Sequence, residues 1–251
     1  MKFANDIRGM AVPKDGVGVF WAGQAGFIIK TPEGKLIGID LYLSNCCERY
    51  FGFKRVLPYI LQPYDVEFDY IVSTHAHYDH FDVDAVPMLM SDKTQLIAAY
   101  DVKAECEKLN IVEKVTYIKV GDEVDAAGVT IKAVACDHGV DTPDAIGLLI
   151  TANGYKIYIA GDTCYRGDNF ANPELNGVDL FIPPINGAFG NMDSKDAAKA
   201  AGDVNAKLTV PCHFWNFCEH YGNPGEFIDE MKKCGQKYYI MRPGEGMLLS
   251  K

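Results

Sequence analysis

The sequence predicts an α/β (α+β) fold in which two mixed sheets pack together and carry helices on their outer faces, a four-layer sandwich. Short segments rich in Val, Ile, Phe and Leu, typical of strands, occur in two groups along the chain. Each group is followed by alternating strand and helix patterns. No linker rich in Pro, Gly or Ser interrupts the 251 residues, and this length suits one domain over 1–251.

Turn and cap residues separate the predicted elements in the first half of the chain. Pro32 and Gly34 divide two apolar segments and predict a hairpin. Asp84 is the expected N-cap of a helix with Pro87 in its first turn, where the missing proline N–H does no harm. The other predicted elements are strands over 16–31, 35–44, 66–73 and 95–99 and a helix over 101–109.

Strand patterns dominate the second half until two helices appear near its end. Asn153-Gly154 is the strongest turn signal, because both residues accept the positive φ of a two-residue hairpin. Asp193 is the expected cap of the first helix. The predicted elements are strands over 115–120, 123–124, 129–136, 145–151, 156–160, 180–185 and 208–210, helices over 194–205 and 224–233, and a last hairpin around 243–246.

The segment 45–65 lacks a regular pattern. It contains the vicinal cysteines Cys46 and Cys47, the basic pair Lys54 and Arg55, and several aromatic residues. A long aromatic segment of this kind either covers a pocket as a lid or insertion, or packs on the core as most aromatic clusters do. The sequence leaves both interpretations open.

Composition and charge exclude several classes of protein. The formal net charge of −10 opposes the binding of long nucleic acids, which normally uses a basic surface. No apolar stretch is long enough for a membrane span, and charges occupy the N-terminal segment where a secretory signal would be apolar. The eight cysteines form no Cys-x-x-Cys pair, which favours free thiols. We expect a cytoplasmic protein without nucleic-acid or membrane partners, and homo-oligomer formation stays open.

The cluster His75-x-His77-x-Asp79-His80 indicates a metal site. Three imidazoles and a carboxylate this close together are more polar side chains than a core can satisfy by hydrogen bonding. Metal coordination satisfies them together, since imidazole nitrogens and carboxylate oxygens are the usual ligands of divalent transition metals.

Three further candidates follow predicted strands elsewhere in the chain. His138 follows the strand over 129–136, Asp162 follows the strand over 156–160 behind Gly161, and His213 follows the strand over 208–210. Each lies at the same end of its strand as the first cluster, so we expect all of them at one edge of the fold. A lone strand-end His or Asp is more often a turn or cap residue, and the joint placement favours a shared site.

These motifs together resemble the metallo-β-lactamase fold superfamily. The resemblance rests on the segment 74–80, the His138 loop, Gly161-Asp162-Thr163 and the late His213, which occur in the expected order over most of the chain. It implies the four-layer αββα sandwich of that superfamily. The stretches 53–55, 82–83 and 211–215 look closest to its L-ascorbate-6-phosphate lactonase-like branch.

The resemblance implies a ligand set and a reaction. One metal ion would be held by His75, His77 and His138, a second by Asp79, His80 and His213, and Asp162 would bridge the two. Two such ions about 3.5–4 Å apart share a water and lower its pKa toward about 7, so that hydroxide is present at neutral pH. Asp79 and Asp162 would be the catalytic carboxylates, Asp79 by orienting the nucleophile or accepting a proton. A ligand set without thiolate suits zinc, manganese or iron, and we favour zinc or manganese.

The implied activity is the opening of a small lactone or ester, with L-ascorbate 6-phosphate or a related sugar lactone as candidates. The small-molecule substrate could be anionic, with Lys54, Arg55 or Arg166 binding a phosphate, although such cations are more often only solvated. The residues expected to contact substrate are Tyr165, Arg166, Asn186 and Trp215. The expected hydrogen-bond partners of the ligands are Asp40, Thr74, Asp82 and Thr163. We expect His220 at the pocket rim or on the surface and not as a ligand, and Cys164 and Cys212 as inert buried thiols.

Three alternatives stay open. A phosphodiesterase or nuclease of the same fold is disfavoured for long nucleic acids by the acidic charge. The di-iron oxidoreductases of this fold that the chain resembles usually carry glutamate where His77 stands. A binding protein that has lost its chemistry would lack ligands, and every expected ligand is present.

Overall fold

A mixed seven-stranded sheet carries the first part of the chain. In the computed structural model, which describes residues 1–250, its strands are β1 (Val17–Gly23), β2 (Gly26–Lys30), β3 (Leu36–Ile39), β4 (Tyr70–Ser73), β5 (Gln95–Ala99), β6 (Val115–Ile118) and β12 (Gly246–Leu249). Their spatial order is β12-β1-β2-β3-β4-β5-β6. The pairs from β12 to β3 are antiparallel, and those from β3 to β6 are parallel. Because parallel strands end at the same edge of a sheet, β4 delivers the residues after Ser73 to that edge.

A second, five-stranded sheet follows. Its strands are β7 (Glu123–Ala126), β8 (Val129–Ala135), β9 (Ile146–Ala152), β10 (Tyr155–Ile159) and β11 (Leu180–Ile182), in the spatial order β11-β10-β9-β8-β7. Only β10 and β11 are parallel. The predicted Asn153-Gly154 turn joins β9 to β10, with φ values of 50° and 79°. The hairpin prediction is confirmed.

Seven α-helices connect or flank the strands in residues 1–250: α1 (Lys2–Gly9), α2 (Cys46–Phe51), α3 (Val86–Leu89), α4 (Lys103–Lys108), α5 (Gly167–Phe170), α6 (Ser194–Asp203) and α7 (Pro224–Lys233). The side chain of Asp193 accepts hydrogen bonds from the first backbone N–H groups of α6, as predicted. No helix in the described part of the chain combines the length and apolar character needed to cross a bilayer.

One continuous apolar core joins the two sheets and the helices. Every residue of β1, β2 and β3 is buried, so both faces of this part of the sheet are covered. Strand β8 instead alternates between fully and partly buried residues along much of its length. Helix α6 places its alanines Ala197, Ala200 and Ala201 in the core and packs against α7. The architecture is the predicted αββα sandwich.

Several element boundaries differ from the prediction. The segment 16–31 forms two strands, because a tight turn at Gly23–Gly26 folds it back on itself. The last segment forms no hairpin with its sequence neighbour, since β12 pairs with β1 at the other end of the chain. The predicted strand over 208–210 makes only isolated bridges.

The helix cap after the metal cluster also differs from the prediction. Asp82 Oδ1, and not Asp84, accepts the backbone N–H groups of Asp84 and Ala85, at 3.1 and 3.0 Å. The helix that follows, α3, has a single turn. Asp82 Oδ2 also accepts from the backbone of Leu43 and Ser44, at 2.9 and 2.8 Å. Its carboxylate therefore ties the loop after β3 to the loop after β4.

The segment 45–65 begins with α2, which the sequence pattern did not predict, and continues without regular structure. Arg55 ties the segment to the loop after β3. The Arg55 guanidinium donates hydrogen bonds to the backbone carbonyls of Tyr42 and Ser44 and lies 4.8 Å from the centre of the Tyr59 ring. Phe51 and Phe53 point toward the cavity described below. The segment thus contacts both the core and the cavity, and a lid function stays a prediction.

Candidate metal centre

The loop after β4 coils tightly and presents its polar side chains together. The backbone N–H groups of His80 and Phe81 both donate to the carbonyl of His77, at 2.9 and 2.7 Å. Ser73 Oγ donates to the carbonyl of His80 at 2.8 Å and closes the coil. These local bonds place His75, His77, Asp79 and His80 on one side of the loop.

The other three candidates reach the same place from the second sheet and the segment after it. His138 follows β8, Asp162 follows β10, and His213 ends the bridged segment around Thr209. A backbone bond of 3.0 Å from Ile146 N–H to the carbonyl of Thr74 joins the two sheets beside them. The structure thus brings all seven predicted ligands to one edge of the sandwich.

Three imidazoles converge at one end of the cluster. His77 Nδ1 lies 3.1 Å from His75 Nε2 and 3.0 Å from His138 Nε2. Three neutral rings cannot all satisfy one another by hydrogen bonding, because each supplies only one N–H. Convergence of three ring nitrogens on one point is the arrangement that a divalent cation requires.

Asp162 lies between these three imidazoles and a second group of candidate ligands, which consists of Asp79, His80 and His213. Its Oδ1 is 3.2 Å from His80 Nε2, and its Oδ2 is 3.1 Å from His213 Nε2 and 3.8 Å from His138 Nε2. Asp79 Oδ2 completes the second group at 3.2 Å from His213 Nε2. One carboxylate therefore faces both halves of the cluster.

The residues fit bound metal ions. His80 Nε2 and Asp162 Oδ1 are buried 3.2 Å apart without the geometry of a hydrogen bond, and neither has another partner in residues 1–250. An unpaired buried polar atom costs about 1–3 kcal/mol. A cation between them would satisfy both. The donor set consists of imidazoles and carboxylates, which suits zinc, manganese or iron.

Two of the four expected hydrogen-bond partners hold ligand rings. Asp40 Oδ2 lies 2.8 Å from His80 Nδ1 and leaves Nε2 of that ring for a metal. Thr74 Oγ1 donates to the same Asp40 oxygen at 2.6 Å and lies 3.1 Å from His75 Nδ1. Asp82 and Thr163 make their side-chain hydrogen bonds to other groups and not to a ligand ring. Thr163 Oγ1 accepts from Asp137 N–H at 2.9 Å and so positions the His138 loop.

Gln24 is a contact that the sequence analysis missed. It lies in the tight turn between β1 and β2 with a φ of 53°, and its Nε2 is 2.9 Å from Asp79 Oδ2 and 3.0 Å from the His213 ring nitrogens. The backbone carbonyl of Gln24 accepts a hydrogen bond from the backbone N–H of His213 at 3.0 Å. The flanking glycines Gly23 and Gly26 signalled a turn, but nothing local to it indicated a metal site.

Asn191 is a second missed contact. Its Nδ2 donates to Asp162 Oδ2 at 2.7 Å and to Asn186 Oδ1 at 3.1 Å. Asn186, predicted to contact substrate, therefore reaches the site through Asn191. Both amides belong to the loop between β11 and α6, which also bonds to Thr163 through Met192 N–H at 2.9 Å.

A cavity of about 330 Å³ opens over the cluster. Its lining includes His77, Asp79, His138, Asp162 and His213. Four aromatic side chains form much of the rest, namely Phe51, Phe53, Tyr78 and Phe189. Cys47, Asp141 and His220 complete the lining, which places the buried His220 at the cavity and not on the surface, the other predicted location. Its size suits a small molecule.

Most residues predicted to bind substrate lie elsewhere. Tyr165 stacks on Phe170 and donates a hydrogen bond to Asp203, and Arg166 pairs with Asp137. Trp215 packs against Phe214. The structure does not bring any of the three to the cavity lining. These predictions assumed that residues after a ligand point inward, but the chain turns outward there.

The part of the chain that carries these residues is similar to known proteins. A family model described as "Beta-lactamase superfamily domain" matches residues 40–214, a range that contains all seven candidate ligands. The chain belongs to the β-lactamase superfamily.

Relatives within the superfamily are similar over nearly the whole chain. A metal-dependent hydrolase of Anaeromyxobacter dehalogenans is 31% identical over 243 residues, covering 90% of this chain and 85% of the relative. A metal-dependent hydrolase of Rubrobacter xylanophilus is 28% identical over 243 residues, covering 92% of this chain and 96% of the relative. A solved metallo hydrolase of Ignicoccus hospitalis has a TM-score of 0.74 at 23% identity, covering 94% of this chain and 99% of that one, and shares the fold. The chain is a member of this family of metal-dependent hydrolases.

The pKa values divide the histidines of this β-lactamase superfamily site into two groups. Burial lowers the pKa values of His75, His77 and His138, so these rings are neutral near pH 7. Burial also acts to lower the pKa of His213, but Asp162 and Asp79 outweigh it and raise that pKa to about 9. The pKa of His80 is likewise raised well above its ordinary value, by Asp162, Asp40 and Asp79 against burial.

Metal binding is expected to release about two protons per chain near pH 7, because His80 and His213 must lose the protons that their raised pKa values retain. Metal affinity should therefore increase with pH up to about 9. In the metal-free protein, the stabilisation from protonated His213 is fully present below its ordinary pKa of 6.5 and is lost as pH rises through about 9. Titration calorimetry in buffers of different ionisation enthalpy counts the protons. An affinity that is constant over this pH range would contradict the prediction.

Replacing Gln24 with leucine is expected to weaken metal binding about 10- to 100-fold, the usual effect of losing a hydrogen bond to a ligand. The reason is that Asp79 Oδ2 and the His213 ring lose the amide that orients them. Competition with a chelating dye measures the affinity. Gln62→Leu is the matched control, because Gln62 does not line the cavity. Equal affinities of the two variants would show that Gln24 does not support the site.

Proposed function

We propose that the chain is a dinuclear metal-dependent hydrolase that opens a small lactone or ester. The observation that carries the proposal is the position of Asp162. Its carboxylate lies 3.8 Å from His138 Nε2 in the first group of ligands, and 3.2 Å and 3.1 Å from His80 Nε2 and His213 Nε2 in the second. A single carboxylate between two groups of nitrogen ligands is the arrangement that two neighbouring divalent ions need.

The proposal assigns the ligands to two ions. His75, His77 and His138 would hold one, Asp79, His80 and His213 the other, and Asp162 would contact both. When bound, two divalent ions, zinc or manganese in our proposal, supply Lewis-acid polarisation of a carbonyl group and make water a stronger acid.

The side chains of the chain have distinct tasks in such a reaction. Asp79 lines the cavity, and its Oδ2 is held by Gln24 Nε2, so it is placed to orient an attacking water and to accept its proton. Asp40 fixes the orientation of the His80 ring through Nδ1. The aromatic side chains around the cavity limit the access of bulk water, which strengthens the electrostatic interactions inside.

The charge of the cavity favours a lactone or ester over a phosphorylated substrate such as L-ascorbate 6-phosphate. No lysine or arginine of residues 1–250 lines it. Lys54 is exposed, the Arg55 guanidinium is occupied by backbone carbonyls, and Arg166 pairs with Asp137. A phosphate would therefore meet only the metal ions and the repulsion of Asp141. The same consideration disfavours a phosphodiesterase.

The test combines metal analysis with a substrate panel. Elemental analysis of the purified protein should give about two zinc or manganese ions per chain, and a panel of lactones, esters and bis-p-nitrophenyl phosphate should show turnover of the lactones or esters. His77→Ala should lose both a metal ion and this activity, whereas Tyr64→Ala, an exposed residue outside the cavity, should keep both. Turnover of the phosphodiester alone would overturn the proposal. Full activity with one ion per chain would overturn its dinuclear part.

A further inference from the structure

Apart from limiting the access of water, the cavity wall made by Phe53, Phe189 and His220 has no task in the reaction proposed above. The His220 ring centre lies 4.9 Å from that of Phe53 and 5.2 Å from that of Phe189, and both contacts are edge-on. The ring centre of Phe217 lies 4.8 Å from that of His220, and the two rings are tilted by 44°. Three phenyl rings thus hold one imidazole in a fixed orientation at the wall of the cavity.

His220 lacks the partners that a buried histidine normally has. The residue is only 8% exposed, and neither ring nitrogen has a hydrogen-bond partner within the described chain. Burying both nitrogens without partners destabilises the fold, and such groups in native proteins call for an explanation. Three phenyl rings and the His213 ring, whose centre is 5.7 Å away, surround the imidazole, so the open side from which a partner can reach its nitrogens is the cavity that it lines.

Phe189 shows a second departure from ordinary packing. It is 63% exposed and has a φ of 54°, a left-handed conformation that bulky residues rarely adopt. The loop holds it there through bonds from Asn191 N–H to the Ala188 carbonyl, at 3.0 Å, and from Gly187 N–H to the Met192 carbonyl, at 3.1 Å. Neither the backbone nor core packing explains a phenylalanine at this position, and strain of this kind is typical of binding sites.

The charge of the wall restricts what it can bind. Its side chains are aromatic, and Asp141 is the charged residue that lines the cavity outside the candidate ligands. At this wall a negatively charged substituent would meet the repulsion of Asp141, and no lysine or arginine of residues 1–250 lines the cavity to balance it. Flat, uncharged groups instead gain apolar contact with phenyl rings.

We propose that Phe53, Phe189 and His220 form a subsite that holds a flat, uncharged part of the substrate, with the His220 ring supplying its hydrogen bond. The inference rests on the proposed function, because it specifies the substrate as an aryl or similarly flat lactone or ester. Phe53 and Phe189, whose ring centres are 5.6 Å apart, contact the faces or edges of that group.

Two variants separate the parts of the subsite. His220→Phe keeps an aromatic ring and removes the hydrogen bond. Phe189→Gly removes the ring and relieves the left-handed backbone, so it should fold at least as well as the wild type. Tyr64→Gly is the control for loss of an exposed aromatic side chain outside the cavity.

The decisive measurement is equilibrium binding of 2-tetralone, a flat ketone that cannot be hydrolysed, to the metal-loaded and the metal-free protein. His220→Phe and Phe189→Gly should each weaken binding about three- to tenfold, and Tyr64→Gly should leave it unchanged. Hydrolysis of dihydrocoumarin should show the same increase in KM with little change in kcat, and γ-butyrolactone, which lacks an aromatic ring, should respond less to Phe189→Gly. Unchanged ketone binding in both variants would overturn the subsite. Variant-sensitive ketone binding in a protein that hydrolyses neither lactones nor esters would support the subsite and refute the proposed function.

Discussion

Replacing Asp162 with alanine is expected to lower kcat/KM for lactone or ester hydrolysis by at least about a hundredfold, because metal centres supply several kcal/mol of transition-state stabilisation. Asp162 is the buried carboxylate whose Oδ2 lies 3.8 Å from His138 Nε2 in the first group of ligands and 3.1 Å from His213 Nε2 in the second. Without it, the two groups of nitrogens have no shared ligand. The metal content should fall from about two ions per chain to about one. Steady-state kinetics and elemental analysis of the same preparation measure the two effects.

The control for this variant is Asp168→Ala. Asp168 is an exposed carboxylate close to Asp162 in the chain and does not line the cavity, so its loss should change neither the activity nor the metal content. Circular dichroism should show that both variants fold. Two ions per chain and wild-type activity in Asp162→Ala would rule out a bridging role.

Replacing Asp40 with alanine is expected to lower the free energy of unfolding of the metal-free protein by about 2–4 kcal/mol, because it leaves several buried donors without a partner. Asp40 is fully buried and accepts from Thr74 N–H at 2.8 Å and Thr74 Oγ1 at 2.6 Å, and its Oδ2 lies 2.8 Å from His80 Nδ1. Its φ of 47° adds to the cost, since alanine tolerates the left-handed region poorly. Urea denaturation in the presence of a chelator measures the change.

Two further variants show which property of Asp40 causes the change in stability. Asp40→Asn keeps the size of the side chain and tolerates the left-handed backbone, so it isolates the loss of the carboxylate. The exposed Asp15→Ala is the control and should change stability by less than about 0.5 kcal/mol. If Asp40→Ala unfolds at the same urea concentration as the wild type, the hydrogen bonds of Asp40 do not stabilise the metal-free fold.

The elements that the sequence predicted well have local causes. Asn153-Gly154 specifies its hairpin through its own backbone preferences, and Asp193 caps α6 through bonds to N–H groups two and three residues away. The segment His75 to His80 likewise contains several candidate ligands within one loop. Signals of this kind are readable because the interacting groups are close in the chain.

The elements that the sequence analysis placed wrongly depend on distant partners. The prediction of a last hairpin at 243–246 failed because β12 finds its partner β1 at the opposite end of the chain. Arg55 looked like a cation available for phosphate, yet backbone carbonyls of Tyr42 and Ser44 occupy it. No local property of these residues predicts that β12 pairs with β1 and not in a hairpin, or that Arg55 binds backbone carbonyls and not a phosphate.

The sequence by itself determined the sandwich architecture and the seven candidate ligands, because strand patterns and the density of His and Asp at strand ends are properties of the chain. Only the tertiary structure decided which neighbours hold those ligands. Gln24 and Asn191 are amides in turns, a common location, and their roles appear only when folding places them 2.9 Å from Asp79 and 2.7 Å from Asp162. The same holds for the proposed subsite: Phe53, Phe189 and His220 are far apart in sequence, and only the packing of their loops assembles them beside the candidate ligands.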